Sequence, residues 1–330
     1  MLSDKDKDKG KNNELRWKWV DVNGSAGYKA YEVLHDESAQ HALFYLKDIE
    51  KNKIQVFISL GDAKLGILPN FNLPARSFVL NGQRIVTCPG ASLSCRRVCY
   101  AQKGAYLQSK DIPIEYAVNY LASLRDDFVE TMVKAIPEKE EETRAKWNSH
   151  YGRVPDVPLF RLHASGDFYS PEYAKKWKEI AEKLPEVYFY TYTRAWVQFE
   201  DDAAVADIGK TAAEINELNA KIMDVLKDVT QMENFQILLS TDEKTGKIPE
   251  EYFAMGFKEA GIDRTYAKTE QHKKDIQCPY QTSWATHVEP GMTEKKIHEL
   301  INKGQIMTCD RCGFCWKKDK LEWNVFFTEH

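Results

Sequence analysis

Pro158-Leu159-Phe160-Arg161-Leu162-His163-Ala164, followed at once by Ser165-Gly166-Asp167, reads as a short apolar β-strand that stops on a polar turn. The next periodic segment runs from Pro171 to Leu184. Ser170 stands before it as a cap and Pro171 occupies its first turn, so a helix is expected there. A second strand, Val187-Tyr188-Phe189-Tyr190-Thr191-Tyr192-Thr193, then ends at Arg194.

The unit repeats downstream. A helix is expected over roughly 211–226, and strand Phe235-Gln236-Ile237-Leu238-Leu239 ends at Ser240-Thr241-Asp242. A further helix is expected over 249–260, before a candidate strand Arg264-Thr265-Tyr266-Ala267-Lys268. Such alternation is the order of parallel strands joined by crossover helices. A doubly wound sheet also satisfies it, but no Gly-rich dinucleotide or phosphate loop stands at the strand–helix turns. What recurs is a polar group at each strand end: Ser165 and Asp167, Thr193 and Arg194, Ser240 and Asp242, then Lys268. In a barrel those ends converge on one cavity, so the expected fold is α/β, a complete or partial parallel β/α barrel.

Upstream, residues 1–14 interleave lysine with aspartate and are expected to be a disordered tail. Residues 15–74 carry short alternating runs, Arg16–Val20, Ala42–Leu46 and Ile54–Leu60, which predict a β-rich N-terminal cap. The β/α core is expected over 75–270, opening with a strand at Ser77–Leu80. Tyr116, Tyr120, Leu121, Leu124, Phe128 and Met132 recur every three or four residues and predict one helix from Ile112 to about Ile136. The charged run 134–146 reads as an exposed face or turn. Residues 271–330 form a cysteine-rich extension.

The seven cysteines fall into two groups. Cys88, Cys95 and Cys99 lie within Cys-Pro-Gly-Ala-Ser-Leu-Ser-Cys-Arg-Arg-Val-Cys-Tyr, residues 88–100, where Arg96 and Arg97 would offset thiolate charge. Cys278, Cys309, Cys312 and Cys315 follow the spacing C-x30-C-x2-C-x2-C, a compact thiolate run of the iron–sulfur or zinc kind. Four thiolates close a metal site, whereas three leave one iron of a four-iron cluster open to chemistry. Disulfides fit poorly, because the total is odd, no secretory signal is visible, and a chain of 330 residues needs no staples. A lone buried thiol remains the plain reading of Cys278. The hydrophobic content of 43% marks a globular chain, and no apolar run is long enough for a membrane span. A formal charge of −4 argues against a general electrostatic grip on nucleic acid, and thiolate ligands point to the cytoplasm.

Together, Cys88-Pro89, Cys95-x3-Cys99-Tyr100, His163-Ala164-Ser165-Gly166-Asp167-Phe168, Tyr192-Thr193-Arg194-Ala195-Trp196 and the cysteine-rich tail resemble the phage gene-product-88 family, over roughly residues 75–316. That family's name carries no activity. The order of strand, cysteine loop, helix and Gly-acid turn also resembles, remotely, the core of radical S-adenosylmethionine enzymes. Their usual cysteine spacing is C-x3-C-x2-C, whereas this chain has C-x6-C-x3-C, and Ser165-Gly166-Asp167 only approximates their Gly-rich turn.

This second resemblance implies a 4Fe–4S cluster on Cys88, Cys95 and Cys99, with S-adenosylmethionine on its fourth iron. Gly166 and Asp167 would approach the methionine ammonium, and Thr193 or Arg194 its carboxylate or ribose. Ser165, Ser240, Asp242 and Lys268 would line the same cavity. Cys278, Cys309, Cys312 and Cys315 would hold an auxiliary cluster. His163, Asp167 and Arg194 are the candidate catalytic residues, His163 either facing the cavity or buried as a structural histidine. The implied activity is that of an oxidoreductase or transferase, in which an external electron donor drives reductive cleavage and a radical attacks a small or macromolecular substrate.

Two other readings stay open. One is a zinc-stabilised structural or nucleic-acid-binding protein using zinc at the C-terminal site, Lys317, Lys318 and Lys320, and stacking by Trp196 and Trp316. With 16 Tyr, 15 Phe and 8 Trp, an ordinary core role is the plain alternative for each aromatic. The other is an iron–sulfur electron-transfer protein in which Cys278 completes the 88–99 site, leaving His287 for the tail. Glu270 and His272 are secondary candidates for a pocket or metal site.

Overall fold

The computed structural model describes residues 16–21, 29–34, 56–61, 64–80, 83–102, 111–152, 154–262, 275–316 and 324–327. The expected tail, the run Ala42–Leu46, and Lys268, Glu270, His272, Lys317, Lys318 and Lys320 lie outside them. The first six strands are β1 (Arg16–Asp21), β2 (Lys29–Leu34), β3 (Ile58–Ser59), β4 (Asn70–Phe71), β5 (Ser77–Leu80) and β6 (Gln83–Val86). Three helices follow, α1 (Leu93–Val98), α2 (Asp111–Ser123) and α3 (Phe128–Tyr151). Then come β7 (Leu159–Leu162), α4 (Pro171–Lys183), β8 (Tyr188–Thr193), α5 (Ala212–Val229), β9 (Phe235–Thr241), α6 (Glu250–Ala254) and β10 (Lys258–Ile262). The C-terminal part holds β11 (Ile276–Gln277), α7 (Pro279–His287), α8 (Glu294–Asn302), α9 (Cys309–Cys312) and β12 (Val325–Phe327).

Strands β4, β7, β8, β9 and β10 lie side by side in chain order, every adjacent pair parallel. Helices α4, α5 and α6 make the crossovers. Beyond β10 the sheet takes in β12 and then β11, both parallel, and at its other edge β3 pairs antiparallel with β4. The result is a mixed eight-stranded sheet that does not close on itself among the described residues. Strands β3 and β4, from the 15–74 segment, belong to this sheet, while β5 and β6 pair with β1 and β2 in a separate four-stranded one. Among the described residues no helix is long and apolar enough to cross a membrane.

Side chains alternate across the strands, and both faces are covered. Phe160, Leu162, Phe189, Phe235, Ile237 and Leu239 face the helices. There Trp177 of α4 is fully buried, with ring centroids 5.4 Å from Phe71, 5.8 Å from Phe128 and 6.0 Å from Phe160, mostly edge-on. Leu159, Tyr190, Leu238 and Ala260 face the other way, where they meet Cys278, Phe314, Trp316 and Val325. The cysteine-rich segment therefore packs across the second face of the sheet.

Two element readings change. The helix expected over 112–136 is two helices, and α3 runs on through the charged stretch 134–146. The chain breaks after Ser123 because the Lys176 ammonium donates to the carbonyls of Ser123 (2.9 Å) and Arg125 (2.6 Å), a cap supplied from α4. The helix expected over 249–260 stops at Ala254, since Gly256 takes a φ of +95° and Lys258–Ile262 becomes β10. Replacing Trp177 with Ala removes the hub of the helix-side core. It is expected to cost about 3–5 kcal/mol in urea unfolding.

Candidate functional site

The turn after β7 is built from unusual backbone. His163 has φ +59° and donates its N–H to the Phe71 carbonyl at 2.9 Å. Its ring turns to the helix side, with Nε2 2.9 Å from the Tyr173 hydroxyl and the ring centroid 4.9 Å from that of Phe168. Burial, reinforced by the nearby Arg161 charge, pushes its pKa down to about 3. His163 is therefore a neutral core histidine. Gly166 has φ +86°, and a Cβ there would sit 2.6 Å from the Leu73 Cβ. Packing on Leu73 accounts for this glycine without any ligand.

Asp167 is 5% exposed and held by its own scaffold. Its carboxylate accepts from the Thr193 hydroxyl (2.8 Å), the Arg194 N–H (2.8 Å) and the Phe168 N–H (2.7 Å). Burial raises its pKa to about 6 against the lowering effect of these donors. Arg194 points to Asp242, at 2.7 Å, both side chains being almost wholly buried. The Ser92 hydroxyl donates to the same Asp242 oxygen at 2.5 Å and also caps α1 by accepting from the Cys95 N–H at 3.0 Å. Ser92, Asp242 and Arg194 thus clip the cysteine loop to the ends of β8 and β9. Ser165 is buried, and its hydroxyl has no hydrogen-bond partner among the described residues. The Ser240 carbonyl accepts from the Trp196 indole at 3.1 Å.

The loop itself folds tightly onto these strand ends. The Cys88 N–H donates to the Arg76 carbonyl at 3.0 Å, and the Arg76 N–H meets Cys88 Sγ at 3.2 Å. Arg96, 2% exposed, turns to the carbonyls of Ala91 (2.9 Å) and Ala204, so its charge is directed at backbone. The side chain of Arg97 is not among those described. Cys88 lies within electrostatic range of Asp167, Cys99 and Cys95, and burial pushes its thiol pKa well up. The loop cysteines are half-buried.

The other four cysteines form a second group on the sheet's second face. Cys315 lies in range of Cys278 and Cys312, and Cys309 in range of Cys315 and Cys278. Cys278 thus groups with the tail and not with residues 88–99. The Tyr192 hydroxyl and Cys315 Sγ are 3.1 Å apart. Burial pushes the Cys315 thiol up to about 12 and the Cys309 thiol higher still, so without a bound cation both are neutral. Among the described residues no three His, Cys, Asp or Glu side chains converge at metal-ligating geometry. Metal binding therefore requires the neighbouring thiols to rotate together.

Trp196 and Trp316 are buried, Trp316 with its ring 4.9 Å from that of Tyr190, and neither is presented for stacking on bases. His287 closes α7 and is half-buried. Sequence reasoning missed Ser92 and the inward-facing Arg161, Tyr190 and Tyr192. The available signal was alternation, since Arg161 stands between Phe160 and Leu162 and so points away from the helices.

The family model described as Gene product 88 matches residues 45–318. The Gene 88 protein of Mycobacterium phage L5 is 26% identical over 258 residues, covering 77% of this chain and 85% of that protein. The Gene 88 protein of Mycobacterium phage D29 is 24% identical over 270 residues, with the same coverage. No solved structure matches.

Two outcomes follow from the geometry. A Cβ at Gly90 would overlap the Arg194 carbonyl oxygen, so Gly90→Ala is expected to lower unfolding stability by about 1–3 kcal/mol in urea. For His163, the unfolded chain takes up a proton between pH 6.5 and about 3 that the native ring refuses, so stability falls as pH drops through that window. His163→Asn, tolerant of positive φ, should flatten the stability–pH slope there by up to about 1.4 kcal/mol per pH unit, measured by urea titrations at stepped pH.

Proposed function

The chain belongs to the Gene product 88 family, and from its two thiol groups we propose that it is an iron–sulfur enzyme with an open three-cysteine site and a closed four-cysteine site. The single observation that carries this reading is the partition of all seven cysteines. Three gather at the C-terminal ends of the parallel strands, and four gather on the inner face of the same sheet. Strand ends are where parallel α/β scaffolds carry their chemistry. We read the open sheet as a partial β/α barrel, because its parallel strands advance in one direction from β4 to β10.

Thiolates are the chemistry soft metals take, and once the tail thiols rotate together their four sulfurs would complete a site without help from another side chain. A 4Fe–4S cluster on Cys88, Cys95 and Cys99 would supply an electron to a bound S-adenosylmethionine. The protein's own residues support that chemistry in definite ways. Arg76 donates its N–H to Cys88, and Ser92 fixes the turn that presents Cys95. Asp167, beside Cys88, places a carboxylate where an ammonium would approach; three of its acceptor positions are filled, and roughly one remains. Arg194 acts through its ion pair with Asp242, holding the loop, and a ligand carboxylate would have to compete with that aspartate.

Anaerobic reconstitution with iron and sulfide tests the reading. The expected result is a brown protein with equal iron and sulfide, an electron-paramagnetic signal that S-adenosylmethionine perturbs, and 5′-deoxyadenosine after reduction. Cys88→Ala should abolish the perturbation and the product while leaving the tail centre's signal. A chain that takes up zinc alone and yields no 5′-deoxyadenosine refutes the reading.

A further inference from the structure

Arg161 is the second residue of β7, 6% exposed, with its backbone N–H on the Pro69 carbonyl at 3.0 Å. Its side chain enters the inner face of the sheet. The guanidinium carbon lies 5.1 Å from the Tyr192 ring centroid and 5.7 Å from that of Tyr190. The strongest charge interactions on it come from Tyr190, Tyr100, Tyr192 and Cys309, none of them a carboxylate; His163 and Cys315 also lie in range, and its Nε is buried without a partner among the described residues.

A guanidinium keeps its charge at any ordinary pH. A buried charge with no opposite partner costs several kcal/mol, and ring faces and neutral hydroxyls repay only part of that. The neighbours able to supply the missing negative charge are thiols of the four-cysteine group. Tyr192 makes the link, stacking beneath the guanidinium while its hydroxyl reaches Cys315. Lys64 adds a second cation within range of Cys309, its ammonium 4.4 Å from the Phe327 ring centroid. A centre with four thiolates carries about two net negative charges, whether it holds divalent zinc or an oxidised cubane. Lys258, fully buried with its ammonium 5.5 Å from the Phe314 ring centroid, is a third cation on this face, so positive charge beside the tail is enough to offset such a dianion.

We propose that Arg161 is the built-in counter-cation of the four-cysteine centre, a positioning residue that sets the centre's metal affinity and its ease of reduction. This rests on the metal-centre reading above; its affinity part holds whatever the metal, and its reduction part holds for iron. Tyr100, the residue after Cys99, also lies within range of the guanidinium and donates its hydroxyl to the Ala164 carbonyl.

Cobalt(II) separates this proposal from the iron–sulfur reading, since its thiolate spectrum reports affinity whatever the native metal. The full-length chain with Cys88, Cys95 and Cys99 changed to Ser is titrated anaerobically against a competing chelator. Arg161→Met and Arg161→Gln should each weaken cobalt binding by about tenfold to a hundredfold, and Arg161→Lys should restore most of it. Because the pair is buried, the loss should persist at high salt. In the iron-loaded chain both neutral variants should also be harder to reduce. Folded neutral variants, checked by circular dichroism, that bind cobalt as tightly as the parent overturn the role of Arg161 alone. A parent chain whose tail gives no cobalt–thiolate spectrum overturns the tail centre and this role together.

Discussion

The carboxylate of Asp167 holds the working end of this molecule together. It sits just beyond β7, takes two hydrogen bonds from the end of β8, and lies beside Cys88 of the loop. Its own N–H reaches the Thr87 carbonyl at 3.0 Å, so a single residue joins two parallel strands to the start of the cysteine segment. Burying a carboxylate is costly, and the rise in its pKa measures that cost; three short donors offset enough of it to keep the group in place. The Ser92–Asp242–Arg194 clip depends on the same geometry, because the Arg194 backbone is fixed by Asp167 while its side chain reaches β9.

The sheet divides its labour by face. On the helix side, aromatic packing around Trp177 supplies cohesion, and buried polar groups there such as His163 and Asn219 are hydrogen-bonded to Tyr173 and the Val197 carbonyl. On the opposite side, the C-terminal tail covers the sheet. It is seated by backbone bonds from Cys309 to Lys64 (2.8 Å) and from Asp310 to Leu65 (3.1 Å). The Asp310 carboxylate accepts from the Ile67 N–H at 2.8 Å and packs where any side chain on Gly66 would stand. The tail is therefore an integral layer of the fold.

The parallel strands β7, β8 and β9 and the helices α4 and α5 were legible within a few residues, because apolar runs, Ser170 and Thr211 caps and polar strand ends all agreed. The division of cysteines into three and four was legible from spacing. Other features depend on partners distant in sequence. The break between α2 and α3 is made by Lys176, some fifty residues away, and periodicity across Leu124 conceals it. Arg194 and Asp242 both looked like ligand contacts at strand ends; nothing local tells that each is the other's partner. His163 sits at a strand end too, yet its positive φ turns the ring into the core. Arg161 was hidden because a lone charge in an apolar strand is read as tolerated, when its face of the sheet decides its meaning.

The two thiol groups occupy opposite electrostatic surroundings. The tail group has Arg161 and Lys64 beside it, both of which favour the thiolate form of Cys309. The loop group has Asp167 beside Cys88, which disfavours the thiolate, while Arg96 is turned to carbonyls and Arg194 to Asp242. Three thiols next to a carboxylate make a site where added negative charge is disfavoured. A cluster bound there, as proposed, would disfavour an anionic ligand at its open position and favour one that brings a positive group, whereas the cations beside the tail would offset a centre of four thiolates. One sheet thus holds two thiol groups under opposite fields, a carboxylate at the strand ends and cations on the face the tail covers.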